Sequence, residues 1–255
     1  MLCDTHTHLF SEQFENDIDV VVEQAKKSGV SKFYLPNIDS SSIDSMLQLS
    51  KKYPDCMFPM MGLHPCSVKE NYKEELAIIE SYLEKEKFCA VGEIGIDLYW
   101  EKTYINEQKA AFRFQIELAK KHKLPIVIHV RESFDDVFEI LDEMNDNTLS
   151  GVFHCFTGTT EQAEKIIGYG NFKIGIGGVV TFKNSGLDAV VKEIDLKHIV
   201  LETDSPYLAP APHRGKRNQS SYLIEIAEKM ATIKETSLEK IAEITSKNAF
   251  ELYGC

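Results

Sequence analysis

Eight short, mostly Val/Ile-rich apolar runs alternate with helical patterns along this chain, and this alternation constrains the fold more than any other feature. The runs occupy residues 1–6, 32–35, 57–62, 89–94, 125–129, 151–155, 172–176 and 199–202. Their mean spacing is about 32 residues, which is the size of one strand–helix unit. Parallel strands that are covered by helices on both faces have this kind of sequence. The alternation therefore predicts an α/β protein.

The helical patterns cover residues 16–28, 41–53, 73–86, 106–122, 133–145, 160–168, 186–193, 220–232 and 238–253. With 255 residues and eight strand–helix units, the chain matches a (β/α)₈ barrel of the TIM type. No linker and no internal repeat divides it, so we expect a single domain over residues 1–255. An open doubly wound sheet is the alternative, but it would keep the first and last strands apart.

Charge and composition limit the classes of function. The formal net charge is −12, which argues against broad electrostatic binding of duplex DNA. Only four of the 28 basic residues are arginines, so positive charge for an anionic substrate must be local. The six cysteines form no Cys-x-x-Cys pair, which fits reduced thiols rather than a zinc ribbon. No apolar run approaches the length of a membrane span, and we expect a cytoplasmic protein with no membrane association and no obligate protein partner.

Six potential metal ligands follow strand-like runs. His6 and His8 are two residues apart and should project to one face. The others each end a later run and precede a loop. In a closed barrel the carboxyl ends of all strands meet at one mouth, so these side chains should converge. Four imidazoles and two carboxylates are too many for one ion and suit two, with Glu93 as the natural bridge. The predicted ligands are His6, His8, Glu93, His129, His154 and Asp204.

Several motifs then carry a resemblance to a known family. They are Asp4-Thr5-His6-Thr7-His8-Leu9, Gly62-Leu63-His64-Pro65, Gly92-Glu93-Ile94-Gly95-Ile96-Asp97, His129-Val130-Arg131, His154-Cys155-Phe156-Thr157-Gly158, Glu202-Thr203-Asp204-Ser205-Pro206-Tyr207-Leu208 and Arg214-Gly215-Lys216-Arg217-Asn218. The chain resembles the TatD-type metal-dependent deoxyribonucleases, within the wider group of amidohydrolase-type metallo-barrels. It departs from the family pattern at Cys66 and at Asn218-Gln219-Ser220, both in predicted mouth loops.

The resemblance implies a TIM-type barrel that hydrolyses phosphodiester bonds of DNA, often from a 3′ end of single strands. It also implies two divalent metal ions, which could be zinc, manganese or magnesium. One ion would be held by His6, His8, Glu93 and Asp204. The second would be held by Glu93, His129 and His154.

Other residues near the predicted mouth are candidates for substrate contacts. His64 could contact a phosphate or the leaving oxygen, or make only a loop hydrogen bond. Arg131 shares the face of His129 and suits phosphate, although an ion pair with Glu202 is the alternative. We expect Glu202 to orient a ligand histidine. Tyr99 and Trp100 could stack on a base or pack as a lid. The remaining candidates form a basic loop: Arg214, Lys216 and Arg217.

Three hypotheses of function remain. The first is a two-metal deoxyribonuclease, with Glu93, Asp204 and His64 as catalytic residues and Asp204 as the acceptor of the proton of the attacking water. The second is a metallo-amidohydrolase that acts on a cyclic amide or a nucleobase. Its binuclear members tend to bridge the metals with a carbamylated lysine, whereas this chain has Glu93. The third is a non-catalytic binding barrel, which would have no reason to keep a complete ligand set.

Overall fold

The strands of the structure, a computed structural model that describes residues 1–100 and 102–255, are all parallel and follow chain order. One sheet contains β1–β3 and the other contains β4–β8. The strands are β1 (Leu2–Asp4), β2 (Val30–Pro36), β3 (Met57–Met60), β4 (Val91–Asp97), β5 (Ile126–Arg131), β6 (Gly151–Phe153), β7 (Phe172–Ile176) and β8 (Ile199–Leu201).

Short bridges join the two sheets at both seams. Met61 pairs with Val91 between β3 and β4, and Thr7 pairs with Ser205 between β1 and the segment that follows β8. At the second seam the N–H of Thr5 also donates to the carbonyl of Leu201 at 3.0 Å. The sheet is therefore a closed ring, which confirms the predicted barrel and rules out the open sheet.

Helices cover the outside of the barrel. They are α1 (Ile18–Lys27), α2 (Ile43–Lys52), α3 (Tyr72–Lys85), α4 (Ile105–His122), α5 (Phe134–Met144), α6 (Thr160–Gly168), α7 (Leu187–Glu193), α8 (Leu223–Ile233) and α9 (Leu238–Tyr253). Residues 220–222, which we predicted as the first turn of a helix, form a separate 3-10 turn. No helix in residues 1–100 or 102–255 is long and apolar enough to cross a membrane.

The layers of side chains inside the barrel determine where the site lies. One apolar cluster takes single residues from six strands and is closed by Tyr253 of α9. Val127 of β5 and Val152 of β6 belong to this layer. His129 and His154 lie two residues further along, so they point to the same inner face, one layer nearer the mouth. The members from the strands are Cys3, Tyr34, Met60, Val127, Val152 and Val200.

The prediction that Glu93 ends its strand is wrong, and so is the same prediction for His129, since β5 continues to Arg131. β4 continues to Asp97, and Gly95 pairs with His129 on β5. The backbones approach so closely that a Cβ on Gly95 would lie 2.1 Å from the carbonyl oxygen of His129, and Gly95 has a φ of 141°. Only glycine tolerates both conditions, and it lets β4 extend past the point where the apolar run stops.

Candidate metal centre

All six predicted ligands meet in one cavity at the carboxyl end of the barrel. His8, Glu93, His129, His154 and Asp204 line a cavity of about 590 Å³. The imidazole of His6 is completely buried at its floor and contacts the Glu93 carboxylate. The residues come from β4 and β5 and from the segments that follow β1, β6 and β8, so their proximity follows from barrel closure.

The first group of ligand atoms is compact. Nε2 of His6 lies 3.3 Å from Nε2 of His8 and 3.1 Å from Oε2 of Glu93. Oδ1 of Asp204 lies 3.8 Å from Nε2 of His6 and 3.6 Å from Nε2 of His8. Nε2 of His8 lies 3.7 Å from Oε2 of Glu93. The donor atoms of His6, His8 and Glu93 lie within 4.8 Å of one another, and Asp204 lies beside the two imidazoles.

These separations fit a divalent cation. A tetrahedral ion with ligand bonds of about 2.1 Å sets its ligand atoms about 3.4 Å apart. Burial, followed by the neighbouring His154, lowers the pKa of His6, which keeps that ring in the neutral form that binds metal. Nε2 of His6 and Nε2 of His8 also lie within hydrogen-bond distance of each other, and their donor and acceptor roles depend on the tautomers. The donor set thus suits zinc, manganese or magnesium on chemical grounds.

A second group surrounds the other oxygen of Glu93. Oε1 lies 2.7 Å from Nδ1 of His129 and 3.7 Å from Nε2 of His154. Burial opposes ionisation of Glu93, but the imidazoles around it, His154 and the hydrogen-bonded His129 among them, outweigh burial and hold the pKa well below its usual range. The carboxylate is therefore charged, and each of its oxygens faces a different set of imidazoles.

Asp97 orients His129, and sequence reasoning missed it. Its Oδ2 lies 2.8 Å from Nε2 of His129, while Nδ1 of that ring faces Glu93. Its Oδ1 accepts the backbone N–H groups of Tyr99 and Trp100. A carboxylate that holds the far nitrogen of a histidine fixes the ring and leaves the other nitrogen free to bind metal. The signal was available, because Glu93, Gly95 and Asp97 are spaced two apart like His6 and His8.

Glu202 has the corresponding position beside His154. Its Oε1 lies 2.8 Å from Nδ1 of His154 and also accepts the backbone N–H of Cys155. Gly175 leaves room for this carboxylate, since a Cβ there would lie 2.5 Å from Oε2 of Glu202. Glu202 therefore lies where we predicted an orienting residue, and it does not pair with Arg131.

His64 is oriented as a hydrogen-bond donor. Its Nδ1 accepts the backbone N–H of Cys66 at 3.0 Å, so the neutral ring carries its proton on Nε2. That nitrogen points into the cavity, 3.5 Å from Oε1 of Glu93. Burial, opposed by Glu93, lowers the pKa of His64. An Nε2–H group in this position can donate to an oxyanion, while His64, Glu93 and His129 together also form a group that could hold a metal ion.

Arg131 lines the cavity, and its guanidinium lies 4.3 Å from the ring centre of Tyr99. The three residues of the basic loop do not line the cavity. Arg214 stacks on Phe182, and Arg217 makes two hydrogen bonds to the carboxylate of Asp17. Because Arg217 is already paired, we interpret it as a structural residue and withdraw it as a substrate contact. Lys216 lies in the same loop, away from the cavity lining.

Comparisons with known proteins agree with this geometry. A model of the family described as TatD related DNase matches residues 3–254. An uncharacterized metal-dependent hydrolase of Bacillus subtilis, YabD, is 41% identical over 254 residues and matches 99% of both chains. Another from Escherichia coli, YcfH, is 33% identical and matches 99% of this chain and 95% of its own.

A solved structure extends the match to the fold. The crystal structure of YjjV, a TatD homologue from Escherichia coli, superposes with a TM-score of 0.94 at 27% identity. It covers 100% of this chain and 98% of its own. The family match over nearly the whole length, on a barrel whose mouth gathers a metal-type donor set, shows that the chain belongs to the TatD family of metal-dependent hydrolases.

Proposed function

We propose that this protein is a metal-dependent deoxyribonuclease that removes nucleotides from single-stranded DNA ends in the 3′ to 5′ direction. The observation that carries the proposal is the set of side chains that line the cavity. A metal-type donor set, the arginine Arg131 and the N–H donor of His64 line one recess. A phosphodiester needs all three, since its oxygens must be neutralised and held while water attacks.

We further propose two metal ions that share Glu93. Glu93 would join His6, His8 and Asp204 in holding one ion, and it would join His129 and His154 in holding the other. When bound, the ions would supply positive charge for the phosphate and would lower the pKa of the attacking water. Asp97 and Glu202 hold two of the imidazoles in the orientation that this arrangement requires.

Asp204 is our candidate for the proton acceptor. Burial raises its pKa, but the hydrogen bond from His8 and the charge of His154 outweigh that effect and lower it. The carboxylate is therefore ionised at neutral pH and available as a base. Arg131 would hold the phosphate through two parallel N–H bonds to two of its oxygens, and Nε2–H of His64 would donate to a phosphate oxygen or to the leaving group.

The depth of the site favours single strands. The ligands lie below the rim of the cavity, and the Glu93 carboxylate is only 2% exposed. A flexible strand can lead its terminal phosphate down to this level, whereas a duplex is too wide. The net charge of −12 gives no broad surface attraction for duplex DNA.

The test uses one preparation with 5′-labelled and 3′-labelled single-stranded oligonucleotides, closed circular duplex and a dihydroorotate-type cyclic amide. Each is assayed with zinc, manganese, magnesium or EDTA. We expect stepwise shortening from the 3′ end that EDTA abolishes. Turnover of the amide without cleavage of DNA would replace the proposal with the amidohydrolase hypothesis. Faster nicking of circular duplex than digestion of single strands would refute the preference for ends.

A further inference from the structure

The rim of the metal cavity is unusually apolar and aromatic. Seven large hydrophobic side chains are exposed within residues 1–100 and 102–255, and three of them line this one cavity. Trp100 is 68% exposed, Tyr207 51% and Leu208 42%. Tyr99, which is 49% exposed, packs edge-on against Trp100. Exposed apolar groups that gather at the mouth of a site indicate a surface that binds something.

The backbones of the two aromatic residues that line the cavity are fixed, although their side chains are exposed. The N–H of Trp100 donates to Oδ1 of Asp97 at 2.7 Å, and Asp97 also holds His129. The N–H of Tyr207 donates to the carbonyl of Asp204 at 2.8 Å. Trp100, which follows β4, and Tyr207, which follows β8, are thus each tied by one hydrogen bond to a residue of the cavity lining.

Arg131 adds a planar cation to this rim. Its guanidinium lies 4.3 Å from the ring centre of Tyr99 and 5.4 Å from that of Trp100. Stacking on two rings restricts the side chain, so the cation is held above the cavity floor. The rim therefore offers flat surfaces and one positive charge directly above a site that is suited to phosphate.

We propose that Trp100 and Tyr207 form a base-stacking rim, which holds unpaired nucleobases next to the phosphodiester that is being cleaved. This inference rests on the proposed function and adds the chemistry that recognises the substrate. A nucleotide combines a planar, uncharged base with a phosphate. The base matches the aromatic rim and the phosphate matches the site below it, and stacking accepts any base. Base pairs inside a duplex cannot stack on the rim because both of their faces are covered by neighbouring pairs.

The chain has a single tryptophan, so its fluorescence reports on the rim directly. The protein with its bound metal is titrated with a thymidine hexamer whose linkages are phosphorothioates that resist cleavage. A matched hexamer has the same linkages but abasic sugars. We expect the thymidine hexamer to quench Trp100 emission and the abasic hexamer to leave it unchanged. Equal quenching by both would overturn the proposal.

Variants provide the second measurement. We expect Trp100→Ala to lower kcat/KM on single-stranded DNA roughly 5- to 150-fold, the range for loss of one stacked base. Tyr207→Ala should behave in the same way, and Trp100→Phe should restore most of the rate. On an abasic strand none of these substitutions should change kcat/KM. Val20→Ala, at an exposed position on α1, is the control. Equal losses on both strands would mean that the aromatic residues only support the fold.

The outcomes separate this inference from the proposed function. Quenching that depends on bases, in a protein that cleaves no DNA with any metal, would support the rim and refute the nuclease. Cleavage at equal rates in wild type and Trp100→Ala would refute the rim and leave the nuclease. A peptide rich in aromatic residues serves as the competing ligand, and stronger quenching by this peptide than by thymidine would assign the rim to protein binding and overturn the proposal.

Discussion

Glu93 lies between two clusters of imidazoles with one carboxylate, whereas the guanidinium of Arg131 lies in the same cavity against the rings of Tyr99 and Trp100. Substitutions at the two residues should therefore have different effects on metal content and kinetics. Glu93→Ala removes the proposed bridge, so we expect loss of metal together with a loss of several orders of magnitude in kcat/KM. Arg131→Ala should keep the metal and lose only a charge-assisted bond, about 1.5–3 kcal/mol in kcat/KM. Arg131→Lys should recover part of that loss, because a point charge cannot replace a planar fork.

Elemental analysis beside steady-state kinetics checks this pair of variants. Full metal content in Glu93→Ala would contradict the bridging role. Loss of metal in Arg131→Ala would make that arginine a structural residue.

Asp97 offers a conservative test of how His129 is held. Asp97→Asn keeps the oxygen that accepts the N–H groups of Tyr99 and Trp100, if the amide oxygen stays on that side. It places an NH₂ group opposite Nε2 of His129, where two donors would face each other. Loss of such an orienting partner typically weakens metal binding 10- to 100-fold. We expect a loss of metal affinity in that range, measured by competition with a chelator, and an unchanged far-UV circular dichroism spectrum. Unchanged metal affinity would show that His129 needs no such support.

At the scale of elements, the close contact of β4 and β5 depends on Gly95. An alanine there would meet the carbonyl oxygen of His129 and would need a φ that alanine avoids. We expect Gly95→Ala to lower the free energy of unfolding by about 2 kcal/mol or more, measured in urea with metal removed. Gly168→Ala is the control, since it ends α6 with nothing within 4 Å of the new methyl group. It should be neutral or stabilising by up to about 1 kcal/mol. Equal effects at the two positions would refute the packing argument.

A second prediction at this scale concerns the loop of residues 213–218. Arg217 anchors it to Asp17, and its hydrogen bond lowers the pKa of that carboxyl. Because the pKa of Asp17 is lower in the folded protein, the ion pair stabilises the fold at pH values above the ordinary pKa of about 3.9. This stabilisation is lost as the pH falls through the pKa of the folded protein. Because the pair is partly exposed, we expect Arg217→Ala to cost about 1 kcal/mol at most at pH 7. The difference from wild type should shrink in acid.

Urea unfolding between pH 7 and pH 3.5 measures this difference. The activity of Arg217→Ala should match wild type. Weaker binding of oligonucleotides at unchanged stability would return Arg217 to the substrate site.

At the scale of the whole molecule, the barrel could be predicted because buried parallel strands differ visibly from amphipathic helices. All eight predicted strands overlap observed ones. The convergence of ligands followed from topology alone, since a closed barrel brings His6 and Asp204 within 3.8 Å. Asp97 was missed because β4 extends past Ile94, and that extension depends on Gly95 and its close contact with β5. The pairing of Arg217 with Asp17 could not be predicted from the sequence, because Asp17 lies 200 residues away along the chain.

Metal binding should stabilise the closed barrel as a unit. The donors come from β4, β5 and the segments after β1, β6 and β8, so a bound ion ties the first and last strands together. At 100 times its dissociation constant, a ligand adds about 2.7 kcal/mol. For a chain of this size that corresponds to a rise in Tm of roughly 5–10 °C over the EDTA-treated protein. Calorimetry at fixed pH measures the rise for wild type, Arg131→Ala and Glu93→Ala. We expect the full rise in the first two proteins and none in the third. An equal rise in Glu93→Ala would place the stabilising ion outside this cavity, and no rise in wild type would refute metal binding to the folded barrel.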